Sequence, residues 1–434
     1  MSCWHHTFDT EAHETAFAID PTSLSFGPGV LREVGEALLE CRRVALFTDA
    51  QVARLPLLDT VKESLKKAGR DFELYDAVHV EPTNASFEDA ARFAREGKFD
   101  AFVSLGGGSV IDTCKAAALL SSCEGGLMAY VNAPVGEGRA VPHALPPHVA
   151  CPTTCGTGSE CTGIAVFDHL GLKVKTGIAS RRLRPTRALI DPTATEFLPK
   201  MVVAASAFDV LSHALESYTA RPFSSRAKPP SAAARPMSQG RNPWSDLGSL
   251  EALRLAGAFL VRAVHDARDF EARSQLSWAA TLAGVAFGNS GVHLPHAMSY
   301  AVAGLVKSYR CEGYPSGEPL VPHGISVVVN APAVFRATAA SSVDRHADAA
   351  RALGATLQRG APAEEVVAAL SAKLTSLMRA AGIPNGLSAL GYEVDDVPAL
   401  TKGTMMQRRL LDNAPVPVDE ALMDSLFRDA QRCW

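Results

Sequence analysis

At 434 residues the chain exceeds the length at which one hydrophobic core usually stops growing, so two domains with a large buried interior are expected. Apolar residues make up 47% and charged residues 20%, which excludes a disordered composition, and the net charge of -4 argues against a nucleic-acid or anionic-membrane surface. No apolar run approaches the length needed to span a bilayer. The nine cysteines are odd in number and lack a C-x-x-C pair, so neither a disulfide scaffold nor a cysteine zinc site is indicated. Cys151, Cys155 and Cys161 fall close together and read as small buried thiols rather than metal ligands. The opening MSCWHHTFDTEAHE lacks a basic region followed by an apolar run, so a reducing compartment is expected rather than secretion.

In chain order, residues 18–30 (AIDPTSLSFGPGV) read as an edge strand or hairpin ending in a Gly-Pro-Gly turn, and VLREVGEALLEC as a helix. The strand VALFTD, a helix around VKESLKKAG, the strand FELYDAV, the helix FEDAARFAREG and the strand DAFVSLGGGS follow. Such alternation predicts a parallel sheet covered by helices. The turn Gly106-Gly107-Gly108-Ser109 follows the apolar strand AFVSL and precedes the helix VIDTCKAAALL. Free backbone N–H groups, a positive helix end and a hydroxyl then converge where a pyrophosphate can sit, although the pattern is not G-x-G-x-x-G and a merely tight turn is the alternative. Asp49, at an earlier strand end, reads as an adenosine-ribose acceptor favouring NAD over NADP, or as a helix cap.

VACPTTCGTGSE starts as a buried strand and opens into a Thr/Gly/Ser loop from Thr153 to Ser159. TGIAVFDHLGLKVKTGIAS and RALIDPT supply two hairpin strands and a last strand, with Lys173, Lys175, Arg181, Arg182 and Arg184 nearby. One or two of these cations are expected to face a cleft and meet a small carboxylate; the rest are expected to be solvated. From about 199 onward the pattern turns to long Ala/Leu-rich helices. The expected division is an α/β dinucleotide-binding domain over 1–198 and an all-helical domain over 199–434. The Pro/Ser/Arg-rich segment 221–245 interrupts the helical half as a linker or as a cleft-side or interface loop.

The helical half carries the candidate metal ligands. In SAFDVLSHALESY, Asp209 and His213 lie one helical turn apart. FGNSGVHLPHAMSY adds His293 and His296, between which spacing does not choose, and LVPHGISVVV adds His323 before a helix or buried run. One carboxylate with three imidazoles suits Fe(II) or Zn(II) better than Ca(II) or Mg(II).

The words LGGGSVIDTCKAAA, PTTCGTGSE, LIDP, FDVLSHALE, HAMSY and PHG together resemble the iron-containing (group III) alcohol dehydrogenases from about Ala18 to the end. That resemblance implies a dehydroquinate synthase-like fold, with metal and nicotinamide meeting between an N-terminal dinucleotide-binding domain and a helical domain. It implies metal ligands Asp209, His213, His296 and His323, pyrophosphate at Gly106, Gly107, Gly108 and Ser109, and ribose at Asp49. Thr153, Thr154, Thr157 and Ser159 would lie along the NAD, and Asp112 and Lys175 join the cofactor-binding candidates. Longer words, among them FDHLGLKVKTGIASR and GVHLPHAMSYAVAGLVKSY, are similar to the hydroxyacid-oxoacid transhydrogenase branch of the family. That branch implies oxidation of 4-hydroxybutyrate to succinate semialdehyde coupled to reduction of 2-oxoglutarate to D-2-hydroxyglutarate through bound NAD(H).

Where many relatives have H-x-x-x-H, this chain has Tyr300 four residues after His296. Tyr300 and His293 are candidates for proton handling, though an unperturbed phenol is a poor base. Arg181, Lys307 and Arg241 are candidates for the carboxylate of the substrate. An NAD-dependent alcohol or 4-hydroxybutyrate dehydrogenase that releases NADH each turnover is the alternative, and a noncatalytic or glycerol-1-phosphate-synthase-like relative a third. The partners expected are small hydroxy-acid and oxo-acid substrates and a second copy of the chain, with no nucleic acid or membrane. The compartment is the mitochondrial matrix for a eukaryotic source and the cytoplasm for a bacterial one.

Overall fold

A computed structural model describes residues 12–172, 174–315, 317 and 319–434; the first eleven residues and Lys173, on which expectations above fall, lie outside them. Strands β1 Ser23–Phe26, β2 Arg43–Phe47, β3 Asp71–Tyr75, β4 Ala101–Gly106, β5 His148–Pro152 and β8 Arg187–Ile190 form one sheet, and β6 Ile164–His169 pairs with β7 Val174–Ala179 in an antiparallel ribbon. The sheet order is β1-β8-β5-β4-β2-β3 and every pairing in it is parallel. Strand β4 is buried at every position, as its largely apolar run suits a central parallel strand, and its one hydroxyl, Ser104, is bonded to His148 Nε2 at 2.7 Å. From β2 the chain moves outward to β3, then returns to β4 on the opposite side of β2. The carboxyl ends of β2 and β4 therefore flank a topological switch point, where open α/β sheets bind ligands.

Helices α1 Pro56–Lys67, α2 Asn84–Gly97 and α3 Gly108–Ser122 cover this sheet, and α4 Leu127–Tyr130 is a single turn beyond it. Proline at the first position starts α1, and a reciprocal Thr83–Ser86 capping box starts α2. One apolar cluster, including Val34, Leu46, Val61 and Val103, fills one face; Phe47, Phe102, Val110 and Cys114 fill the other.

Two local expectations change. Residues 18–30 do not make a hairpin: β1 is an edge strand running parallel to β8. VLREVGEALLEC is not a continuous helix but two 3-10 turns, Val30–Glu33 and Glu36–Leu38. Gly35 is drawn against α1, its N–H donating to Ser64 Oγ at 3.0 Å, and a Cβ there would lie 2.3 Å from the Ser64 carbonyl oxygen.

Beyond residue 199 every regular element among the described residues is helical. Besides short 3-10 turns, these are α5 Lys200–Thr219, α6 Pro243–His265, α7 Phe270–Ser290, α8 Leu294–Gly304, α9 His323–Val328, α10 Ala331–Thr338 and α11 Val343–Ala352, followed by α12 Ala363–Ala381, α13 Val397–Met405, α14 Arg408–Leu411 and α15 Glu420–Asp429. Helix α5 is buried along nearly its whole length and packs against α6, α7 and α9, so its polar residues face protein and not water. None of the described helices is long and apolar enough to cross a membrane. Segment 221–242 is folded against the rest of the chain: Pro222 bridges to Arg241, and Arg226 Nε donates to the Gln239 carbonyl at 2.8 Å.

Candidate active site

The turn between β4 and α3 is built by close approach. A Cβ on Gly106 would lie 2.4 Å from Val110, one on Gly107 would lie 3.1 Å from Thr154, and one on Gly108 would lie 2.6 Å from Thr157. The glycines thus let α3 begin at once after the strand and let the Thr153–Thr157 loop rest on the turn. Thr153 N–H donates to the Gly106 carbonyl at 3.0 Å. Asp49, Gly107, Gly108, Ser109, Thr153, Thr154 and Thr157 line one cavity at the carboxyl edge of the sheet. Asp49 also caps the turn after it, accepting from the N–H groups of Gln51 and Val52, so the cap reading holds while the residue lines this cavity.

Asp112, Ser159 and Lys175 line a second cavity, toward the helical half. Asp112 is already engaged, accepting from Ser159 Oγ at 2.5 Å, Val166 N–H at 2.9 Å and Lys115 Nζ at 3.3 Å. Lys115, which spacing in the sequence did not single out, is 1% exposed and donates to Ser159 and the Ile164 carbonyl. Burial pulls its ammonium pKa down against the pull of Asp112. Lys175 donates to Glu81 at 2.7 Å and Asp168 at 3.1 Å; burial would lower its pKa, but the two carboxylates outweigh it and hold it above the usual lysine value. Glu81 adopts a left-handed backbone, φ 56°, with its N–H on Ser109 Oγ.

Between the cavities the structure brings Asp209, His213, His296 and His323 together, with one donor atom from each lying within 4.8 Å of the others. Asp209 Oδ1 is 3.6 Å from His213 Nε2, 3.4 Å from His296 Nε2 and 3.6 Å from His323 Nε2. Helix α5 supplies the first two one turn apart, α8 the third and the first residue of α9 the fourth. Gly324 lets α9 press onto α5: a Cβ there would meet the Ala205 carbonyl oxygen at 1.9 Å. Asp209 Oδ1 and His296 Nε2 are buried and accept or donate no hydrogen bond among the described residues. Unpaired buried polar atoms are costly, and a cation held by carboxylate and imidazole would satisfy them, so the cluster fits a divalent ion such as Fe(II) or Zn(II).

Glu216, one turn beyond His213 on α5, was not singled out from the sequence. Its Oε1 accepts from His296 Nδ1 at 2.6 Å and Oε2 from the His293 N–H at 2.7 Å, leaving His296 Nε2 directed at the cluster. Burial lowers the His296 pKa, but Glu216 and Asp209 outweigh it and bring it up to about 9. His213, stacked on Phe287 with ring centroids 3.9 Å apart, is pushed down to about 3 by burial.

Not every expected residue joins this site. His293 caps α8: Nδ1 accepts from Leu294 N–H, Nε2 meets Thr219 Oγ1 at 3.0 Å, and the ring lines neither cavity. It holds the start of α8 and has no position from which to relay a proton to the cleft. Arg181 is turned outward onto Asp20 at 2.6 Å and the carbonyls of Arg235 and Pro236. Lys307 pairs with Asp396 at 2.6 Å on the surface, and Arg241 packs beside Asp246 and Arg345. None of these three cations lines either cavity beside the cluster; among the described residues the lysine and arginine that do are Lys175 and Arg409. Tyr300 does line the second cavity, and burial raises its phenol above the ordinary value against the opposing charges of Arg409 and Lys175.

The comparisons with known proteins agree with this geometry. The model of the iron-containing alcohol dehydrogenases matches residues 21–192, and that of the C-terminal region of the Fe-containing alcohol dehydrogenase family matches 236–431. The chain is 47% identical over 423 residues to a mitochondrial hydroxyacid-oxoacid transhydrogenase of Rattus norvegicus, covering 96% of this chain and 90% of that one. It is 45% identical to the Homo sapiens protein of that name, with 96% and 90% covered. Among solved structures, 1,3-propanediol oxidoreductase superposes with a TM-score of 0.83 at 27% identity, covering 96% and 100% of the two chains. An iron-containing alcohol dehydrogenase from Thermococcus thioreducens gives 0.80 at 26%, covering 96% and 99%. With both halves matched by the two family models and nearly the whole chain by relatives of 45–47% identity, the chain belongs to the iron-containing alcohol dehydrogenase family of oxidoreductases.

Proposed function

We propose that this protein is a metal-dependent hydroxyacid-oxoacid transhydrogenase, oxidising 4-hydroxybutyrate to succinate semialdehyde while reducing 2-oxoglutarate to D-2-hydroxyglutarate through bound NAD(H). The observation that carries the reading is the Asp209/His213/His296/His323 cluster at the junction of two cavities, one along the glycine turn and one toward the helical half; Asp209 and His323 line both. Similarity at 47% identity to proteins named for this reaction supports the substrate class. The four clustered residues would hold the ion, Gly106–Ser109 and the Thr153–Ser159 loop the dinucleotide phosphates and nicotinamide, and Asp49 the ribose. When bound, the ion supplies Lewis acidity to the reacting oxygen and the nicotinamide takes up and returns the hydride.

The protein's own part is positional. Glu216 fixes His296 in the tautomer that offers Nε2, and Asp209 contributes the negative charge that balances a cation. Phe287, Val292 and Leu410 supply an apolar wall that limits water around the reacting carbon. Tyr300, held protonated by burial, serves as a hydrogen-bond donor to substrate and not as a base. The active unit is a homo-oligomer, a dimer, located in mitochondria for a eukaryotic source and in the cytoplasm for a bacterial one. The deciding assay mixes purified protein with 4-hydroxybutyrate and 2-oxoglutarate and adds no NAD. Many turnovers of both products are expected, whereas a strict requirement for exogenous NAD would identify an ordinary dehydrogenase.

A further inference from the structure

We propose that Arg409 and Ser238 form a carboxylate seat that both acid substrates occupy in turn. The inference rests on the transhydrogenase reading above for the identity of those acids. Two cations line the substrate-side cavity. Lys175 is already neutralised by Glu81 and Asp168. Arg409, half-buried, is paired with no carboxylate among the described residues, and Nη1 donates to Ser238 Oγ at 3.1 Å.

The seat is built from three separate segments, 221–242, 290–292 and 409–413. Segment 221–242 brings Ser238 to the cavity wall, where it is 8% exposed. Arg226, from the same segment, donates to Asn413 Oδ1 at 3.3 Å, and Asn413 Nδ2 donates to the carbonyls of Ser290 and Val292, each at 3.1 Å. Gly291, at φ 86°, makes room: a Cβ there would lie 2.7 Å from that of Ser238. The interruption of the helical half thus completes one wall of the cleft, with a guanidinium in it whose planar donors match a carboxylate.

The chemistry of the two acids explains why one seat is enough. In 4-hydroxybutyrate two methylenes separate the carbinol carbon from the carboxylate. In 2-oxoglutarate two methylenes separate the oxo carbon from the distal carboxylate. A cation at one fixed distance from the Asp/His cluster therefore registers the reacting carbon of both acids at the same point, and the 2-carboxylate is the only group the oxo acid must additionally accommodate. Acids of other spacing would put the wrong carbon at the cluster.

The test compares acids with uncharged or shortened counterparts in Arg409→Met, Arg409→Lys and Ser238→Ala. The readouts are the kcat/KM ratio of 4-hydroxybutyrate to butan-1-ol and that of 2-oxoglutarate to 2-oxobutyrate. Loss of a desolvated charge partner predicts that Arg409→Met lowers both ratios by about 30-fold or more, with partial recovery in Arg409→Lys. Ser238→Ala, a smaller change that keeps the measurement available should Arg409→Met not fold, is expected to lower both by about 3-fold or more. Ratios that stay at the wild-type value, or a fall in only one, would overturn the shared seat. A wild-type enzyme that keeps both preferences but needs exogenous NAD would overturn the transhydrogenase reading and leave the seat standing; cofactor-free exchange with unmoved ratios would do the reverse.

Discussion

Glu216 bonds a residue of the Asp/His cluster and Tyr300 lines the cavity beside it, and each gives a measurable consequence. Glu216 holds the His296 ring by a 2.6 Å bond to Nδ1, and removing such a partner typically weakens metal affinity by about 10–100-fold. Glu216→Gln is therefore expected to lose metal at lower chelator concentrations than the wild type, followed by elemental analysis after dialysis. Tyr300→Phe removes a donor without changing the size of the ring, and the expected loss in kcat is about 5–10-fold. Because burial keeps that phenol protonated, the pH–rate profile of the variant should retain the shape of the wild-type profile between about pH 6 and 9. A missing inflection in the variant would return Tyr300 to the role of a base. His293 and His296 show what spacing could not decide: both lie buried at the start of one helix, but the former's ring is occupied by Leu294 N–H and Thr219, and only hydrogen bonding separates the cap from the candidate ligand.

At the scale of elements, the approach of α9 to α5 sets the distance between His323 and Asp209. Gly324→Ala would force a Cβ into the Ala205 carbonyl, with a cost of about 1–3 kcal/mol expected from overpacking and read by chemical denaturation. Metal content should fall with it, since the shift moves a ligand-bearing residue. The alternating strands and helices, the glycine turn and the Asp-x-x-x-His pair were legible because each depends on residues close in sequence. The first 3-10 turns were not, because Gly35 is held by Ser64, a residue of another element. The cavity cation was also hidden: Arg409 and Ser238 are 171 residues apart, and nothing local distinguishes Arg409 from Arg408 beside it. Arg181 and Lys307 carried the same charge but met Asp20 and Asp396 first.

For the molecule as a whole, the Glu81–Lys175–Asp168 cluster ties the segment after β3 to the ribbon β6–β7 in the wall of the second cavity. Burial would raise the Glu81 pKa, but Lys175 and His323 outweigh it and leave it below its ordinary 4.5. A depressed carboxylate contributes stability that is complete above its unfolded pKa and is lost as pH falls through the folded one. Denaturation midpoints should thus be less stable below about pH 4.5 than near neutrality, and Glu81→Gln should flatten that part of the curve.

Gly158, at φ 59°, touches Gly284 of α7 so closely that a Cβ on it would lie 2.6 Å from the Gly284 Cα. On one side of this bare backbone contact lie Thr157 and Ser159; one turn along α7 lies Phe287, stacked flat on His213. With no side chain to absorb a displacement, a shift of the loop, the proposed dinucleotide contact, would reach the imidazole through rigid parts. Titration of NADH should then show higher affinity in the Zn(II)-loaded protein than in the apoprotein, and Zn(II) should gain from NADH by the same factor. Such reciprocity is thermodynamically required of linked sites, with a coupling of about 1–3 kcal/mol typical. Gly284→Ala, which wedges the contact apart, should shrink that factor toward unity.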